Sequence, residues 1–180
     1  MNTWKNLPGK IWVTLASLDP RLRRRARAAA SCLAPGEREL FLAMGRYDLA
    51  HALAVARRLA DDPLLRRAAL LHDAGKLRPE LGVVTRWLYT CLELVTPSRL
   101  QRMGEGVDTG PGGGGVLERA RVLPRGWRRG LFVQLHHGEI AAEMLRELGS
   151  EAELVRLVGE HQGEPGDERA RRLREVDDSF

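Results

Sequence analysis

The sequence predicts an all-α protein, organised as a single-domain helical bundle. Leu, Ala and Arg dominate the chain of 180 residues, and all three residue types favour helix. Apolar residues recur at i, i+3, i+4 and i+7 in several segments, which is the spacing of one helix face. We find no pair of alternating segments that would form neighbouring strands. A chain of this length can bury a core as one domain.

Residues 1–46 are predicted to form a helical N-terminal extension. Trp12, Leu15 and Leu18 have the spacing of one apolar stripe on a first helix. A basic run on the next helix carries five arginines, which are Arg21, Arg23, Arg24, Arg25 and Arg27. We interpret this run as a solvated or phosphate-attracting surface, and not as a catalytic element.

The next two helices bring histidines onto apolar faces. The first covers about residues 48–59 and carries His51 beside its apolar stripe. Asp62 followed by Pro63 has the form of an N-cap with proline at the first helical position. In the helix that follows, His72 continues the apolar spacing, so we expect it on the buried face, with a glycine ending the helix three residues later.

The middle of the chain contains a further helix and a glycine-rich stretch. The helix is expected over residues 85–96. The stretch Gly104–Gly115 contains seven glycines and predicts a mobile insertion, with a lid over a functional site as the alternative. It lacks the Gly-Lys-Ser/Thr ending of a phosphate-binding loop.

The last part of the chain places two more histidines and an aspartate on helices. His137 lies at the start of one helix. The next helix is expected to begin with a capping box over residues 150–153 and to carry His161 on its apolar face. Asp167 can cap the last helix, on which Asp177 shares a face with apolar residues.

Composition and charge leave several classes of partner open. The formal charge of +5 favours an anionic partner, and nucleotides, nucleic acid and acidic membranes all qualify. Cys32 and Cys91 form no spaced pair, which indicates a reducing compartment. No apolar run approaches the ~18–20 residues of a membrane span, and a signal-peptide core is lacking. We therefore expect a cytoplasmic protein.

The dipeptide His72-Asp73 carries the most chemical information. The pair could have a purely structural role, with the imidazole packed in the core and the aspartate hydrogen-bonded to it. A buried aspartate, however, is costly unless it is paired or bound to a metal. The further histidines and an aspartate on apolar faces favour a metal site over the structural explanation.

These residues occur in a recognisable order. The segments are Asp48-Leu49-Ala50-His51, Leu71-His72-Asp73-Ala74-Gly75-Lys76, His137-Gly138-Glu139-Ile140-Ala141-Ala142, Glu160-His161-Gln162 and Val176-Asp177-Asp178. The order resembles that of the HD superfamily of metal-dependent phosphohydrolases. The middle segment is similar to the HDIG variant, with Ala74 where that variant has Ile. The resemblance covers roughly residues 47–178, and it implies an HD-type metal-binding helical domain over residues 47–180.

The resemblance implies a centre of six ligands, which are His51, His72, Asp73, His137, His161 and Asp177. Six ligands exceed what one open catalytic ion usually takes, so we expect two ions with Asp73 bridging them. One ion would have His51, His72, Asp73 and Asp177, and the other Asp73, His137 and His161. The set holds imidazole and carboxylate but no thiolate, which suits Mn, Fe, Co, Zn or Ni.

Two positions leave a choice between neighbours. His137 matches the family position and directly precedes a glycine at a helix start, whereas His136 is expected to be exposed or to support the site. Asp177 shares the inner helix face, whereas Asp178 is expected to stack on Arg174 towards solvent. We prefer His137 and Asp177.

The expected activity is hydrolysis of a nucleotide or related phosphoester by a metal-bound hydroxide. The expected catalytic residues are Asp73, as the bridging ligand, and Lys76. In related proteins a lysine at this position can contact substrate phosphate, and the alternative for Lys76 is a cation at a solvated helix end. Whether the substrate is a phosphomonoester or a phosphodiester stays open.

Two rival functions come from other classes. One is a metal-containing nucleotide sensor or scaffold of the HD type with little or no turnover. The other is a binder of nucleic acid or membrane surfaces that uses the arginines, although the chain lacks a nucleic-acid recognition motif and aromatic stacking positions.

Overall fold

The computed structural model describes residues 7–76 and 114–180. In these ranges the chain forms α-helices and one 3₁₀ turn and contains no strand, which confirms the all-α prediction. The elements are α1 (Leu7–Ser17), α2 (Leu22–Ala29), a 3₁₀ turn (Ala30–Cys32), α3 (Pro35–Ala43), α4 (Arg46–Arg58), α5 (Pro63–Leu71), α6 (Val116–Val122), α7 (Trp127–Glu147), α8 (Ala152–Glu160) and α9 (Glu168–Asp177). The helix expected over residues 85–96 and residues 104–113 of the glycine-rich stretch lie outside the described residues.

Two of the predicted N-caps are confirmed. Asp62 Oδ1 accepts hydrogen bonds from the backbone N–H groups of Leu64 (2.9 Å) and Leu65 (3.1 Å) at the start of α5. Asp167 Oδ1 accepts from the N–H of Ala170 (2.8 Å) at the start of α9. Both carboxylates satisfy helix donors that would otherwise lack a partner, and they fix where these helices begin.

The capping box expected over residues 150–153 is wrong. The N-cap of α8 is Glu151, whose side chain makes no capping hydrogen bond. The carboxylate of Glu153 instead accepts from the guanidinium of Arg156, at 2.7 and 2.9 Å. The arginine one turn later in the helix therefore engages the acidic side chain that a capping box requires.

The helix before the His-Asp dipeptide ends earlier than the sequence suggested. α5 ends at Leu71, His72 is its C-cap, and residues 72–75 form turns. A Cβ at Gly75 would overlap the carbonyl oxygen of His137, so this turn packs directly on the backbone of α7. Glycine is needed here for close approach and not to end the helix.

One hydrophobic cluster joins helices from both ends of the chain. It includes Val13 of α1, Leu22 of α2, Leu49 of α4, Leu70 of α5 and Leu157 of α8. The described part of the predicted N-terminal extension therefore shares its core with the later helices, and the boundary at residue 46 stays a prediction. A smaller cluster lies between α6 and α7.

Within residues 7–76 and 114–180, no helix is both long enough and apolar enough to cross a membrane.

Candidate metal centre

Six side chains from five parts of the fold converge, and they divide into two groups. The outer group contains His51 from α4, His72 after α5 and Asp177 at the end of α9. The inner group contains Asp73 after α5, His137 from α7 and His161 after α8. Within each group the potential ligand atoms lie within 4.8 Å of one another, so each group could hold a metal ion.

In the outer group, both imidazoles make short contacts to one carboxylate oxygen. Asp177 Oδ1 lies 2.6 Å from His51 Nε2 and 3.2 Å from His72 Nε2. The two Nε2 atoms lie 3.3 Å apart. The side chain of Asp177 is 24% exposed and that of His51 is 12% exposed, so this group adjoins the surface.

The inner group is more deeply buried and is joined to the outer group through Asp73. Asp73 Oδ1 lies 3.2 Å from His137 Nε2 and 3.6 Å from His72 Nε2, and its Oδ2 lies 3.9 Å from His51 Nε2. His161 Nε2 lies 3.3 Å from His137 Nε2. Asp73 thus faces both groups, which is the position that a bridging ligand requires.

Backbone carbonyls fix the protonation of three of the imidazole rings. The Nδ1 atoms of His72, His137 and His161 lie 2.9, 2.9 and 2.7 Å from the carbonyl oxygens three residues earlier in the chain. A carbonyl can only accept, so each Nδ1 carries a proton and donates it. In a neutral ring the lone pair is then on Nε2, which faces the centre. Ligating histidines in metalloproteins are commonly held by such a bond from the other ring nitrogen.

This arrangement leaves the inner group with acceptors that face each other. The Nε2 atoms of His137 and His161 and the Oδ1 atom of Asp73 converge, and the protons of both rings are used on carbonyls. Facing lone pairs in a buried site repel unless a cation lies among them. The inner group therefore fits a metal ion by the chemistry of its donors.

Electrostatics keep the outer group partly protonated. Burial lowers the pKa of His72, but the carboxylates of Asp73 and Asp177 raise it further, to about 9. Burial raises the pKa of Asp177, yet His72 and His51 bring it well below its ordinary value. At neutral pH an imidazolium therefore lies beside an ionised carboxylate.

The inner group has neutral imidazoles beside an ionised carboxylate. Burial, aided by Lys76, lowers the pKa of His137 to about 4. Burial and the neighbouring rings of His72 and His137 lower the pKa of His161 to about 3. Burial raises the pKa of Asp73, but Lys76 and His72 hold it well below its ordinary value.

Lys76 lies against the centre and not at a helix end. Its Nζ is 2.5 Å from Asp73 Oδ1, and its side chain is 13% exposed. α5 has already ended at Leu71, so the ammonium neutralises a candidate metal ligand and not the last carbonyls of that helix. Its expected contact with substrate phosphate stays a prediction.

The neighbours that the sequence left as alternatives lie outside the two groups. The ring of His136 packs on Phe132 with 4.6 Å between centroids, and its Nδ1 is 3.8 Å from Glu139. Asp178 lies 3.8 Å from Arg174 and is 46% exposed. The structure brings His137 and Asp177 into the centre, although His137 lies in the middle of α7 and the expected helix start at this residue is wrong.

Several supporting residues were not foreseen from the sequence. A Cβ at Gly138 would lie 2.9 Å from His161 Cε1, so this glycine lets His161 approach α7. Gln162 Oε1 accepts from the N–H of Gly138 (2.9 Å) at the same crossing. Phe180 meets the ring of His51 edge-on, with 6.2 Å between centroids. Gly138 and Gln162 each follow a histidine of the centre by one residue, whereas no sequence signal points to Phe180.

Comparisons of this chain with protein-family models, with curated proteins and with solved structures gave no match.

Proposed function

We propose that the protein is a metal-dependent phosphohydrolase of the HD type that acts on a nucleotide or a related phosphoester. The observation that carries the proposal is the inner group, where the buried Nε2 atoms of His137 and His161 face each other at 3.3 Å without a proton between them, beside the carboxylate of Asp73. The outer group lies beside it and shares Asp73. The order of these ligands along the chain is the order found in that superfamily.

The donor set limits which metal could bind and how many ions the centre could hold. Four imidazoles and two carboxylates without a thiolate suit a first-row divalent ion such as Mn, Fe, Co, Zn or Ni. Two adjacent groups fit two ions. His51, His72 and Asp177 would hold one ion and His137 and His161 the other, and Asp73, which faces both groups, would be shared. Bound ions of this kind supply Lewis-acid activation of water and of a phosphoryl group.

The side chains of the centre would orient the metal-ligating atoms and supply charge. Asp73 stays ionised, because Lys76 and His72 keep its pKa low, so it can face both groups as a carboxylate. The carbonyl bonds hold the rings of His72, His137 and His161 with Nε2 inward. Lys76, whose ammonium lies against Asp73, would supply positive charge to stabilise a phosphate oxygen of a bound substrate.

Metal analysis followed by a phosphoester screen tests the proposal. The purified protein should contain divalent metal by elemental analysis, and added Mn²⁺ should support hydrolysis of at least one nucleotide or phosphoester, which a chelator abolishes. Asp73→Asn should abolish both, whereas His136→Gln should leave both intact because His136 lies outside the groups. Stoichiometric metal without turnover on any phosphoester would instead favour a metal-containing sensor or scaffold. Absence of metal after metal-replete purification would contradict both functions.

A further inference from the structure

α1 and Leu18, which directly follows it, expose an apolar stripe. Ile11, Trp12, Leu15 and Leu18 are 48, 51, 63 and 70% exposed. Their spacing places them along one side of the helix, and the opposite side buries Val13 against the core. These four residues are half of the large apolar side chains that the described part of the chain exposes. Such a concentration within eight residues marks an interaction surface.

The same segment carries the net charge of the chain. Residues 7–29 contain six basic side chains and one acidic one, so their net charge equals the +5 of the whole sequence. The exposed arginines follow the stripe directly and are Arg21, Arg24, Arg25 and Arg27. The single acidic residue, Asp19, is 3.5 Å from Arg25. The rest of the chain is close to electroneutral, so the excess charge belongs to the apolar stripe and its extension.

A further cation lies at the edge of the stripe. The ring of Trp12 is 6.1 Å from the ring of Phe180, and the guanidinium of exposed Arg58 lies 4.5 Å above that same ring. Basic groups therefore approach the apolar stripe from α4 as well as along the chain.

We propose that this surface, formed by the stripe of α1 and the arginines of α2, docks the protein on an anionic lipid membrane. A helix with an exposed apolar face and adjacent arginines lies in the interface of a bilayer, where apolar side chains enter the acyl boundary and cations meet lipid phosphates. Nucleic acid would match the arginines but gives Ile11, Leu15 and Leu18 no apolar phase. A second copy would bring two strongly basic segments together.

Flotation of the full-length protein with lipid vesicles tests the proposal. The probes are vesicles of phosphatidylcholine alone and of phosphatidylcholine with phosphatidylglycerol, at low and at physiological salt. The apolar variant is Trp12→Glu combined with Leu15→Glu, and the charge variant is Arg21→Gln combined with Arg24→Gln. The matched control is Trp127→Glu, because Trp127 is 59% exposed and is flanked by exposed Arg125 and Arg128. Circular dichroism and thermal unfolding confirm that each variant is folded.

The wild-type protein should bind the anionic vesicles and not the neutral ones, and salt should weaken the binding. The apolar variant should reduce partitioning by at least about tenfold. The charge variant should reduce it about fivefold for each arginine removed, which corresponds to about 1 kcal/mol each. The Trp127→Glu control should bind like the wild type.

Several results would overturn the proposal. They are failure of the wild-type protein to float with anionic vesicles at low salt, equal binding to neutral vesicles, and loss of binding with Trp127→Glu instead of the α1 variant. Self-association that depends on Trp12, measured by sedimentation without vesicle binding, would assign the surface to a second copy. Binding of an oligonucleotide by the wild type without vesicle binding would assign the arginines to nucleic acid.

Discussion

The outer and inner groups use the same two kinds of ligand but satisfy them in opposite ways. In the outer group, protons on His51 and His72 meet the carboxylate of Asp177, so the group closes on itself. In the inner group, the ring protons of His137 and His161 are used on carbonyls, and their Nε2 atoms face each other at 3.3 Å. Each acceptor of the outer group therefore has a donor without a metal, whereas in the inner group Lys76 pairs with Asp73 but no donor lies between the two Nε2 atoms.

The difference follows from where each group lies in the fold. The inner group lies where α7 crosses α8, and its imidazoles are too buried to hold a proton at neutral pH. The outer group lies at the end of α9, where Asp177 is partly exposed and supports the charge of His72. We infer that the imidazoles of the inner group can accept a cation without losing a proton, whereas His72 of the outer group must first release one.

Separating the two groups by mutation should have the largest effect. His161→Ala removes an inner ligand and His51→Ala removes an outer one, so each variant should keep about one metal ion and lose the other. Turnover should fall by at least about a hundredfold in both, because two-metal sites stabilise the attacking and the leaving oxygens together. Metal stoichiometry by elemental analysis and kcat/KM on the identified phosphoester measure the two effects.

His136→Ala is the matched control for these variants, since His136 packs on Phe132 outside both groups. It should keep both ions and near wild-type kinetics. Loss of both ions in each single variant would show that the two groups form one indivisible site. A wild-type protein that holds one ion under metal-replete conditions would contradict the division itself.

Substitution of Lys76 tests whether its ammonium acts on the substrate or only neutralises Asp73. Lys76→Ala should keep the metal but lower kcat/KM. The expected loss of transition-state stabilisation is roughly 2–4 kcal/mol, by analogy with loss of an oxyanion donor. It should also raise the pKa of His137, because Lys76 contributes to lowering it. Lys10→Ala, a lysine on α1, is the control. Unchanged kinetics with intact metal would restrict Lys76 to neutralising Asp73.

Features encoded within one turn of helix could be predicted from the sequence. The caps at Asp62 and Asp167 depend on residues two or three positions away, and the helical stripe around His161 is set by periodicity. The ligand order placed Asp73 between the other ligands, and the structure brings all six together.

Features that depend on distant packing could not be predicted in the same way. Periodicity aligned Trp12, Leu15 and Leu18, but it does not tell whether a stripe faces the core, and this one faces outward. α5 ends early, at Leu71, and the turn after it packs on α7 at Gly75, a contact between residues far apart in the sequence. The contact between Phe180 and His51 also joins residues that are far apart in the sequence.

The pH dependence of metal binding should differ between the groups. A ligating imidazole must be neutral, and the pKa of His72 is raised to about 9, so its proton competes with metal at pH 7. The apparent affinity of the outer group should rise from pH 7 to about 9, by up to about tenfold per unit, and then level off. His137 and His161, with pKa values of about 4 and 3, are already neutral, so the inner affinity should stay flat.

Calorimetric titration with Mn²⁺ at several pH values measures this in the two single-group variants. His161→Ala reports on the outer group and His51→Ala on the inner one. The number of protons released can be determined from the change in binding heat between buffers of different ionisation enthalpy. It should approach one per ion in the first variant and be small in the second. Equal pH slopes in the two variants would contradict the electrostatic difference between the groups.

Phe180 should support the outer group alone, with the smallest effect. Its ring packs edge-on against His51 and is covered by Arg58, so it limits the orientations of that imidazole. An aromatic pair of this kind contributes about 0.5–1.5 kcal/mol, so Phe180→Ala should weaken metal binding about two- to tenfold in the His161→Ala background. In the His51→Ala background it should change nothing, because the inner ligands do not depend on that ring. Phe180→Tyr should restore the affinity if edge contact is the cause, and an equal loss in both backgrounds would mean that Phe180 acts through general stability.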